Sequence, residues 1–425
     1  MQIRWHLARW RRLIRQRPRN PVRLWTPEFI RICTSNSFMS IVLQMLISAF
    51  PLYLAAQGIS SKQVGMVISG YTACTLIMRF LSGSLVDRYG RFIVVFICSL
   101  MFLIPLSGFL LWPVLPVIVL CRVFQGLGAS GLSTGYGAMV ADVLPRERFA
   151  EGIGYFGLFS AIITAIGPAL AVRLCEDGQY TFLFILCVVL FLIGIVLLFT
   201  VRYERRGGRG AARQQADQPQ QAAEPAPKNP LWRFLDKPAI PIACVCFLSH
   251  ICVAAALNYA APFAVSLGLS GSGLFFTFQA FSMLFTRVFS GRFSVRFGNF
   301  RVLFVGMILM FTSIVLIGFV NSLGLLLVAG LIYGAGCGLA WPMFNVLCLI
   351  NSPASHRGRA LSTYYISYDG GVGLGALLWG FVIDAVGYRW VFWSSAVIAV
   401  ISLILAVVLR RRAPWVYGET PRQSG

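Results

Sequence analysis

A few ionisable side chains lie inside long apolar stretches of this sequence. Of its 14 carboxylates, only Asp369 lies deep within such a stretch, and the basic residues in similar positions are Arg79, Arg122 and Arg287. His250 is a further candidate, because histidine changes its charge most readily near neutral pH. A charge in a hydrocarbon environment persists when it is paired, faces water or contacts a ligand. These residues therefore indicate proton transfer or the binding of a charged group. They do not form the cluster of nucleophile and base that would indicate an enzyme.

The apolar stretches that carry these residues indicate a membrane protein. The 425 residues are 58% hydrophobic and only 12% charged, with a mean hydropathy of +0.77, whereas roughly a quarter of the residues in soluble domains are charged. A span of the hydrocarbon core needs about 20 apolar residues. Twelve stretches satisfy this length, near residues 29–56, 62–85, 91–112, 114–141, 150–174, 180–201, 239–264, 270–294, 300–321, 323–350, 359–384 and 388–410.

The first and second halves of the chain repeat each other in a single register of 208 residues. The matched pairs are Arg79/Arg287, Gly83/Gly291, Arg88/Arg296, Gly90/Gly298, Gly126/Gly334, Gly128/Gly336, Pro145/Pro353, Gly167/Gly375 and Tyr180/Tyr388. Such a duplication of apolar segments is typical of secondary transporters. We therefore predict an all-α polytopic membrane protein with 12 transmembrane helices in two pseudo-symmetric six-helix bundles.

The net charge of +22 is explained by membrane topology. Thirty of the 36 Lys and Arg residues lie on one side of the predicted spans, and an excess of this kind marks the cytoplasmic side. Both termini are therefore predicted to be cytoplasmic, and a nucleic-acid partner is not expected. With only three lysines, the chain resembles products of GC-rich bacterial genomes, which suggests a bacterial inner (plasma) membrane.

Composition also divides the chain into segments. We predict a basic amphipathic segment at 1–28, a six-helix bundle at 29–201, a flexible cytoplasmic linker at 202–238, a second bundle at 239–410 and a cytoplasmic tail at 411–425. The 11 cysteines are scattered without metal-binding or disulfide spacing. The GxGxxG run at 126–131 lies in an apolar span rather than after a strand, so it does not indicate a dinucleotide site. No metal and no cofactor are expected.

The connection after the second span carries a recognisable motif. It reads Gly83-Ser-Leu-Val-Asp87-Arg88-Tyr-Gly90-Arg91 and resembles the GxLxDRxGR loop of the major facilitator superfamily. The resemblance implies a conformational latch made by Gly83, Asp87, Arg88, Gly90 and Arg91, which joins the two halves on the cytoplasmic side. In the second copy Val295 stands in place of the aspartate, so we expect the latch to be asymmetric.

Two further motifs resemble the drug and sugar efflux branch of that superfamily. Residues 122–129 resemble the pattern RxxQGxGxA, which in drug/proton antiporters is linked to proton coupling. Gly167 and Pro168 stand where the antiporter motif GxxxGPxxG is found, but Ile163 and Ala171 replace its flanking glycines. The resemblance therefore implies export. The missing glycines weaken the assignment to the antiporters but not the assignment of the fold.

The resemblance also places spans two and eleven beside each other, across the interface between the halves. Arg79 and Asp369 lie at similar depths on these spans, roughly 12 and 15 Å from the cytoplasmic end at 1.5 Å per residue. We predict a buried ion pair between them, which either breaks and forms as the halves move or is a permanent structural bridge. Arg287 lacks the equivalent partner, because Ala161 occupies the position that corresponds to Asp369.

Other candidate site residues have open alternatives. Arg122 either influences proton transfer, binds an anionic substrate group or is satisfied by helix carbonyls, and His250 either carries protons or packs in the core. Amide and aromatic residues of the spans suit an amphipathic organic molecule, although core packing is an alternative for each. These cavity candidates are Asn36, Gln44, Tyr53, Gln125, Tyr136, Asn258, Tyr259, Tyr333, Trp341 and Asn345.

Together these features predict a monomeric secondary transporter that lies in the lipid bilayer. It is expected to export small amphipathic organic compounds by alternating access, coupled to the movement of protons. The alternatives are a proton-coupled uptake symporter, a lipid flippase and a transport-inactive membrane sensor or assembly factor. The intact motif of residues 83–91 disfavours the last of these. ATP-driven transport is not expected, because the sequence has no GxxxxGK[ST] phosphate loop.

Overall fold

A computed structural model describes residues 24–111, 114–145, 148–201, 235–350, 352 and 357–417 of the chain. Twelve long α-helices occur in this part of the chain, and it contains no β-strand. They are α1 (Pro27–Ala56), α2 (Ser61–Tyr89), α3 (Arg91–Leu111), α4 (Leu115–Val143), α5 (Phe149–Glu176), α6 (Tyr180–Phe199), α7 (Ile240–Ser266), α8 (Leu274–Phe297), α9 (Asn299–Ile317), α10 (Leu323–Ile350), α11 (Arg357–Val386) and α12 (Tyr388–Arg412).

Every helix lies within four residues of a predicted span at both ends. The predicted N-terminal segment, linker and tail fall largely on residues 1–23, 202–234 and 418–425, which lie outside the described residues. Ten of the described helices are long and apolar enough to cross a membrane. The two others, α5 and α8, pack against each other between the halves.

Local sequence explains where several helices begin and end. The Thr26 hydroxyl accepts a hydrogen bond from the backbone N–H of Phe29, and Ser60 and Gln63 form a capping box at the start of α2. Each of these contacts satisfies an N–H group that the first helical turn leaves without a partner. Gly90 and Gly298, 208 residues apart, end α2 and α8 with φ of +95° and +85°, a conformation that glycine adopts without steric cost.

The duplication predicted from the sequence extends to the packing of the helices. Helices α9, α10, α11 and α12 each begin 208 residues after α3, α4, α5 and α6. Within the first half α4 packs on α2 and α3, while α1 packs on α5 and α6, and the same contacts recur in the second half among α7–α12. Each half is therefore a bundle of the same design.

The two bundles meet through α2 against α11, α5 against α8, and α1 against α7. Small residues allow close approach along α2 and α11. A Cβ atom at Gly65 would lie 2.6 Å from the carbonyl oxygen of Ala376, and one at Gly380 would lie 2.5 Å from that of Ser61. Since neither helix can move closer or accept a larger side chain there, these glycines set the spacing between the halves.

The ends of the bundle are named here by their connections. The end at which α1 begins is the proximal end, and the opposite end, with the loops after α1, α5, α7 and α11, is the distal end. By the charge distribution of the sequence, the proximal end is the predicted cytoplasmic one.

Candidate functional site

A cavity of about 220 Å³ lies between the two halves. Helices α1, α2 and α4 line it from the first half, and α7 and α11 line it from the second. Its wall combines apolar side chains with hydroxyl, amide and charged groups, a mixture that suits an amphipathic organic molecule. The polar and aromatic members are Phe50, Tyr71, Thr72, Thr75, Arg79, Arg122, Ser133, Asn258, Tyr368 and Asp369.

The Arg79 and Asp369 side chains meet in the wall of this cavity. Nε and one terminal nitrogen of Arg79 lie 2.9 and 2.8 Å from Oδ2 of Asp369, and the two side chains are 17% and 13% exposed. The guanidinium carbon of Arg79 also lies 4.6 Å from the centre of the Tyr365 ring. The structure thus brings together the two charges that the sequence places at matching depth. Because α2 and α11 belong to different halves, this ion pair spans the interface.

A second cavity, of about 240 Å³, lies on the proximal side of the first. The two share Leu43 and Ser133, and the second is also lined by Asn36, Tyr136 and Tyr365. Along α1, α4 and α11 the lining residues of the second cavity are those nearer the proximal end. The ion pair and Tyr365 therefore lie where the two cavities adjoin.

Arg122 lines the first cavity from α4 and is only 5% exposed. One terminal nitrogen lies 3.5 Å from the carbonyl oxygen of Leu46, and Nε has no hydrogen-bond partner in the described part of the chain. The guanidinium carbon lies 3.3 Å from the centre of the Phe50 ring and 5.3 Å from that of Tyr71. One long hydrogen bond and three aromatic faces, those of Phe50, Tyr71 and Phe109, leave most of the Arg122 donors available to a ligand or water.

His250 is fully buried in the second half, and it does not line either cavity. Its Nδ1 lies 2.7 Å from the carbonyl oxygen of Cys246, while Nε2 has no hydrogen-bond partner among the described residues. The rings of Tyr368 and Phe344 surround the imidazole at centroid distances of 4.4 and 6.0 Å. These contacts are those of a packing residue.

Arg287 differs from its counterpart Arg79. It is exposed, and no carboxylate within the described residues lies within 4 Å of it. The side chain of Ala161, which occupies the position that corresponds to Asp369, lies outside the description.

Three of the predicted cavity residues line the cavities. Asn258 lines the first, with its amide nitrogen 3.1 Å from the carbonyl oxygen of Ala254, and Asn36 and Tyr136 line the second. The Tyr136 hydroxyl is also 2.6 Å from the hydroxyl of Ser35. All three residues are positioned to contact a substrate, and Tyr136 also ties α4 to α1 through its contact with Ser35.

Three predicted tyrosines pack inside the bundles instead. The Tyr53 hydroxyl donates to the carbonyl oxygen of Phe109, and the Tyr259 hydroxyl donates to that of Ala376. Tyr333 is fully buried. Neither cavity is lined by these rings, because adjacent helices cover them.

The remaining candidates also lie outside both cavity walls. Gln125 is fully buried, and neither atom of its amide has a hydrogen-bond partner in the described region. Trp341 packs 6.0 Å from the Tyr368 ring. Gln44 and Asn345 are partly exposed on α1 and α10.

The motif at the end of α2 is described only in part. The surroundings of Gly83 and the side chain of Asp87 lie outside the description, and Arg88 is exposed beside Tyr89. Arg91, the first residue of α3, places Nε 3.1 Å from Oδ2 of Asp142 near the end of α4. This ion pair, which the sequence analysis did not anticipate, fixes the proximal ends of two neighbouring helices within the first half.

Sequence reasoning missed Phe50, Tyr71 and Tyr365 as site residues. Each contacts a buried guanidinium through its ring face, as expected of cation–π pairs. Their spacing from Arg122 and Arg79 along the chain gives no signal, since the contacts join different helices.

Comparison with known proteins agrees with this architecture. The family model of the Major Facilitator Superfamily matches residues 32–299 and 270–424. The staphylopine export protein of Staphylococcus aureus is 23% identical over 364 residues, which cover 82% of this chain and 87% of that protein. The quinolone resistance protein NorA of the same organism is 23% identical over 287 residues, covering 64% and 68% of the two chains.

Solved structures show the same fold. The D-xylose-proton symporter superposes with a TM-score of 0.72 at 17% identity, covering 92% of this chain and 99% of that one. A variant of the nucleoside transporter NupG superposes with a TM-score of 0.73 at 12% identity, covering 90% and 99%. The two repeated six-helix bundles, the cavity between them and the family match over nearly the whole chain have one explanation: this chain belongs to the Major Facilitator Superfamily and is a membrane transporter.

Proposed function

We propose that this transporter exports small amphipathic organic compounds in exchange for protons by alternating access. One observation carries the proposal: the cavity between the halves is lined by a carboxylate, Asp369, whose ion pair with Arg79 joins helices of different halves. A proton that binds Asp369 removes its charge and weakens this pair. Proton binding is thereby coupled to a contact between the moving bodies.

The described conformation suits one stage of such a cycle. Asp369 is bound to Arg79, and the second cavity extends from it towards the proximal end. In the predicted orientation this is the cytoplasmic side, from which an exporter loads its substrate. We assign the arrangement to the stage at which Asp369 has released its proton to the cytoplasm. Reopening towards the distal end would expose the carboxylate to protons from outside.

The lining of the cavities supports the substrate class. Phe50, Tyr71 and Tyr368 offer aromatic faces, while Thr72 and Asn258 offer groups that form hydrogen bonds. Binding sites for organic molecules combine a mostly apolar wall with a few polar groups that set orientation.

Export is supported by the relatives, two of which are named for staphylopine export and quinolone resistance. The second candidate is proton-coupled uptake by symport, and one structural neighbour is named as a D-xylose-proton symporter. The substitutions Ile163 and Ala171 in the motif of α5 favour this second candidate. Both candidates use the same cavity and differ in whether substrate and proton move in opposite directions.

The test is a flux measurement in proteoliposomes that hold a trapped pH dye. Norfloxacin and a panel of small aromatic acids and amines are supplied on one side, and substrate and proton movement are followed together. The variant is Asp369→Asn, with Asp177→Asn as a matched control. Asp177 is an exposed carboxylate directly after α5 that pairs with Arg173 in the last turn of that helix, remote from the cavity.

Proton flux opposite to substrate movement, retained in Asp177→Asn and lost in Asp369→Asn, is the expected result. Flux in the same direction would instead establish symport. Substrate movement without any proton flux would refute proton coupling altogether.

A further inference from the structure

Two carboxylates at the distal end connect the halves in the same way. Glu176 is the last residue of α5, and Asp384 lies near the end of α11. They are 208 residues apart, so they are the same position of the two copies. Each accepts hydrogen bonds from the backbone at the start of a helix in the opposite half.

The Glu176 contact is the more extensive of the two. Its two carboxylate oxygens each lie 2.8 Å from a backbone nitrogen, one of Gly271 and one of Ser272, in the turn that leads into α8. The hydroxyl of Ser272 donates to the same carboxylate at 2.5 Å. Ser272 is fully buried, and Glu176 is partly buried. A carboxylate is a favoured partner for the free N–H groups and positive dipole of a helix start.

Asp384 makes the corresponding contact on the other side of the interface. Its Oδ2 accepts a hydrogen bond of 3.0 Å from the backbone N–H of Lys62, the second residue of α2. The ammonium group of Lys62 lies 4.7 Å from the centre of the Phe381 ring on α11. Asp384 is exposed and accepts one bond here, so this contact is the weaker of the two.

We propose that Glu176 and Asp384 are the residues that lock the distal gate of the transport cycle. The proposal rests on alternating access as proposed above. Opening the cavity towards the distal end must separate α5 from α8 and α2 from α11 at that end, and each separation breaks one of these contacts. We name them the Glu176 lock and the Asp384 lock.

The chemistry suits a contact that breaks and re-forms in every cycle. Both partners are helix ends at loops, where water can take over the backbone donors and the carboxylate once they part. The locks therefore bias the transporter towards the distally closed conformation without making it permanent. Because the Glu176 lock has three hydrogen bonds, its loss should shift the balance further than loss of the Asp384 lock.

The experiment measures distances across the distal end without requiring any substrate. Nitroxide labels are placed at Gln57→Cys in the first half and Asn321→Cys in the second, both exposed loop positions. The background carries Cys244→Ser, since Cys244 is the exposed one among the free cysteines. Double electron–electron resonance then gives the ratio of distally open to distally closed molecules.

Loss of one charge-assisted hydrogen bond typically shifts the ratio of two conformations roughly tenfold or more. Glu176→Gln should therefore raise the open-to-closed ratio roughly tenfold or more. Asp384→Asn and Ser272→Ala should raise the open-to-closed ratio less. The double variant Glu176→Gln with Asp384→Asn should give a higher ratio than either single variant. Asp177→Asn, the neighbouring carboxylate, should leave the ratio unchanged.

An unchanged distance distribution in both Glu176→Gln and the double variant would overturn the proposal, as would an equal shift in Asp177→Asn. If Glu176→Gln does not fold, Asp384→Asn and Ser272→Ala carry the same test. A distance shift in a protein that moves no protons would sustain the locks and refute proton coupling. Proton-coupled transport with no shift in the distances would refute the locks and sustain proton coupling.

Discussion

The ion pair between Arg79 and Asp369 predicts an unequal and non-additive response to mutation. Asp369 is 13% exposed and has Arg79 as its partner. Arg79→Gln therefore leaves a buried carboxylate without its cation, and breaking a buried pair in this way costs roughly 3–5 kcal/mol of unfolding free energy. We expect Arg79→Gln to be the most destabilising of the single changes.

Asp369→Asn should cost less. The asparagine oxygen can still accept one hydrogen bond from Arg79, whose guanidinium carbon remains 4.6 Å from the Tyr365 ring centre. Such a cation–π contact contributes roughly 0.5–2 kcal/mol, so the expected loss is about 2 kcal/mol. The double variant should lose about 2 kcal/mol less unfolding free energy than the sum of the two single variants. The reason is that both charges are then removed, so that no unpaired charge is left behind.

The unfolding free energy is measured by titrating dodecylmaltoside micelles with SDS and following tryptophan fluorescence. Arg287→Gln is the matched control, since Arg287 occupies the position in the second copy that corresponds to Arg79 and is exposed. It should change stability by less than about 0.5 kcal/mol. Additive losses in the double variant would show that the two side chains do not interact. Equal losses in Arg79→Gln and Arg287→Gln would show that the loss comes from the bundle rather than from the pair.

Three further predictions concern the cavity. Arg122→Gln is expected to raise KM roughly tenfold or more for an aromatic carboxylate and to leave KM of its amide unchanged, because an arginine binds a carboxylate through paired hydrogen bonds. An equal loss of transport rate for both compounds would assign Arg122 to proton coupling or packing. His250→Phe should retain proton-coupled transport, since the imidazole lies among the aromatic rings of Tyr368 and Phe344, and loss of coupling with normal folding would make His250 a proton carrier. One proton per cycle is expected from the one carboxylate in the first cavity wall, and a reversal-potential measurement that gives two would require a second carrier.

The arrangement of the helices was predictable because it depends on local properties of the sequence. The length of each apolar stretch, the glycines that end α2 and α8, and the polar cap at Ser60 are read directly from neighbouring residues. The duplication then supplied each half with the same contacts. A packing arrangement that occurs twice is specified by two independent sets of residues.

The side chains that face the cavity were less predictable. Helices such as α1, α4 and α7 are apolar on all sides, so no stripe separates the face towards the cavity from the face towards another helix. Tyr53 and Tyr259 accordingly pack within the bundles, whereas Tyr71 lies beside Arg122. The Arg79–Asp369 pair was accessible to sequence reasoning because charges in apolar spans are few and the neighbouring spans were implied by the family resemblance.

The duplication has preserved the scaffold but not two charges of the first cavity, Asp369 and Arg122. Gly90 and Gly298 retain the same left-handed conformation, and Glu176 and Asp384 retain the same contact with a helix start. In contrast, the position that corresponds to Asp369 is alanine and the position that corresponds to Arg122 is glycine. Symmetric elements suit the part of the cycle that the two halves share, namely the opening and closing of the gates. A substrate and a proton have no such symmetry, so the residues that we propose to bind them need occur only once, and their loss from one copy leaves the motion of the halves intact.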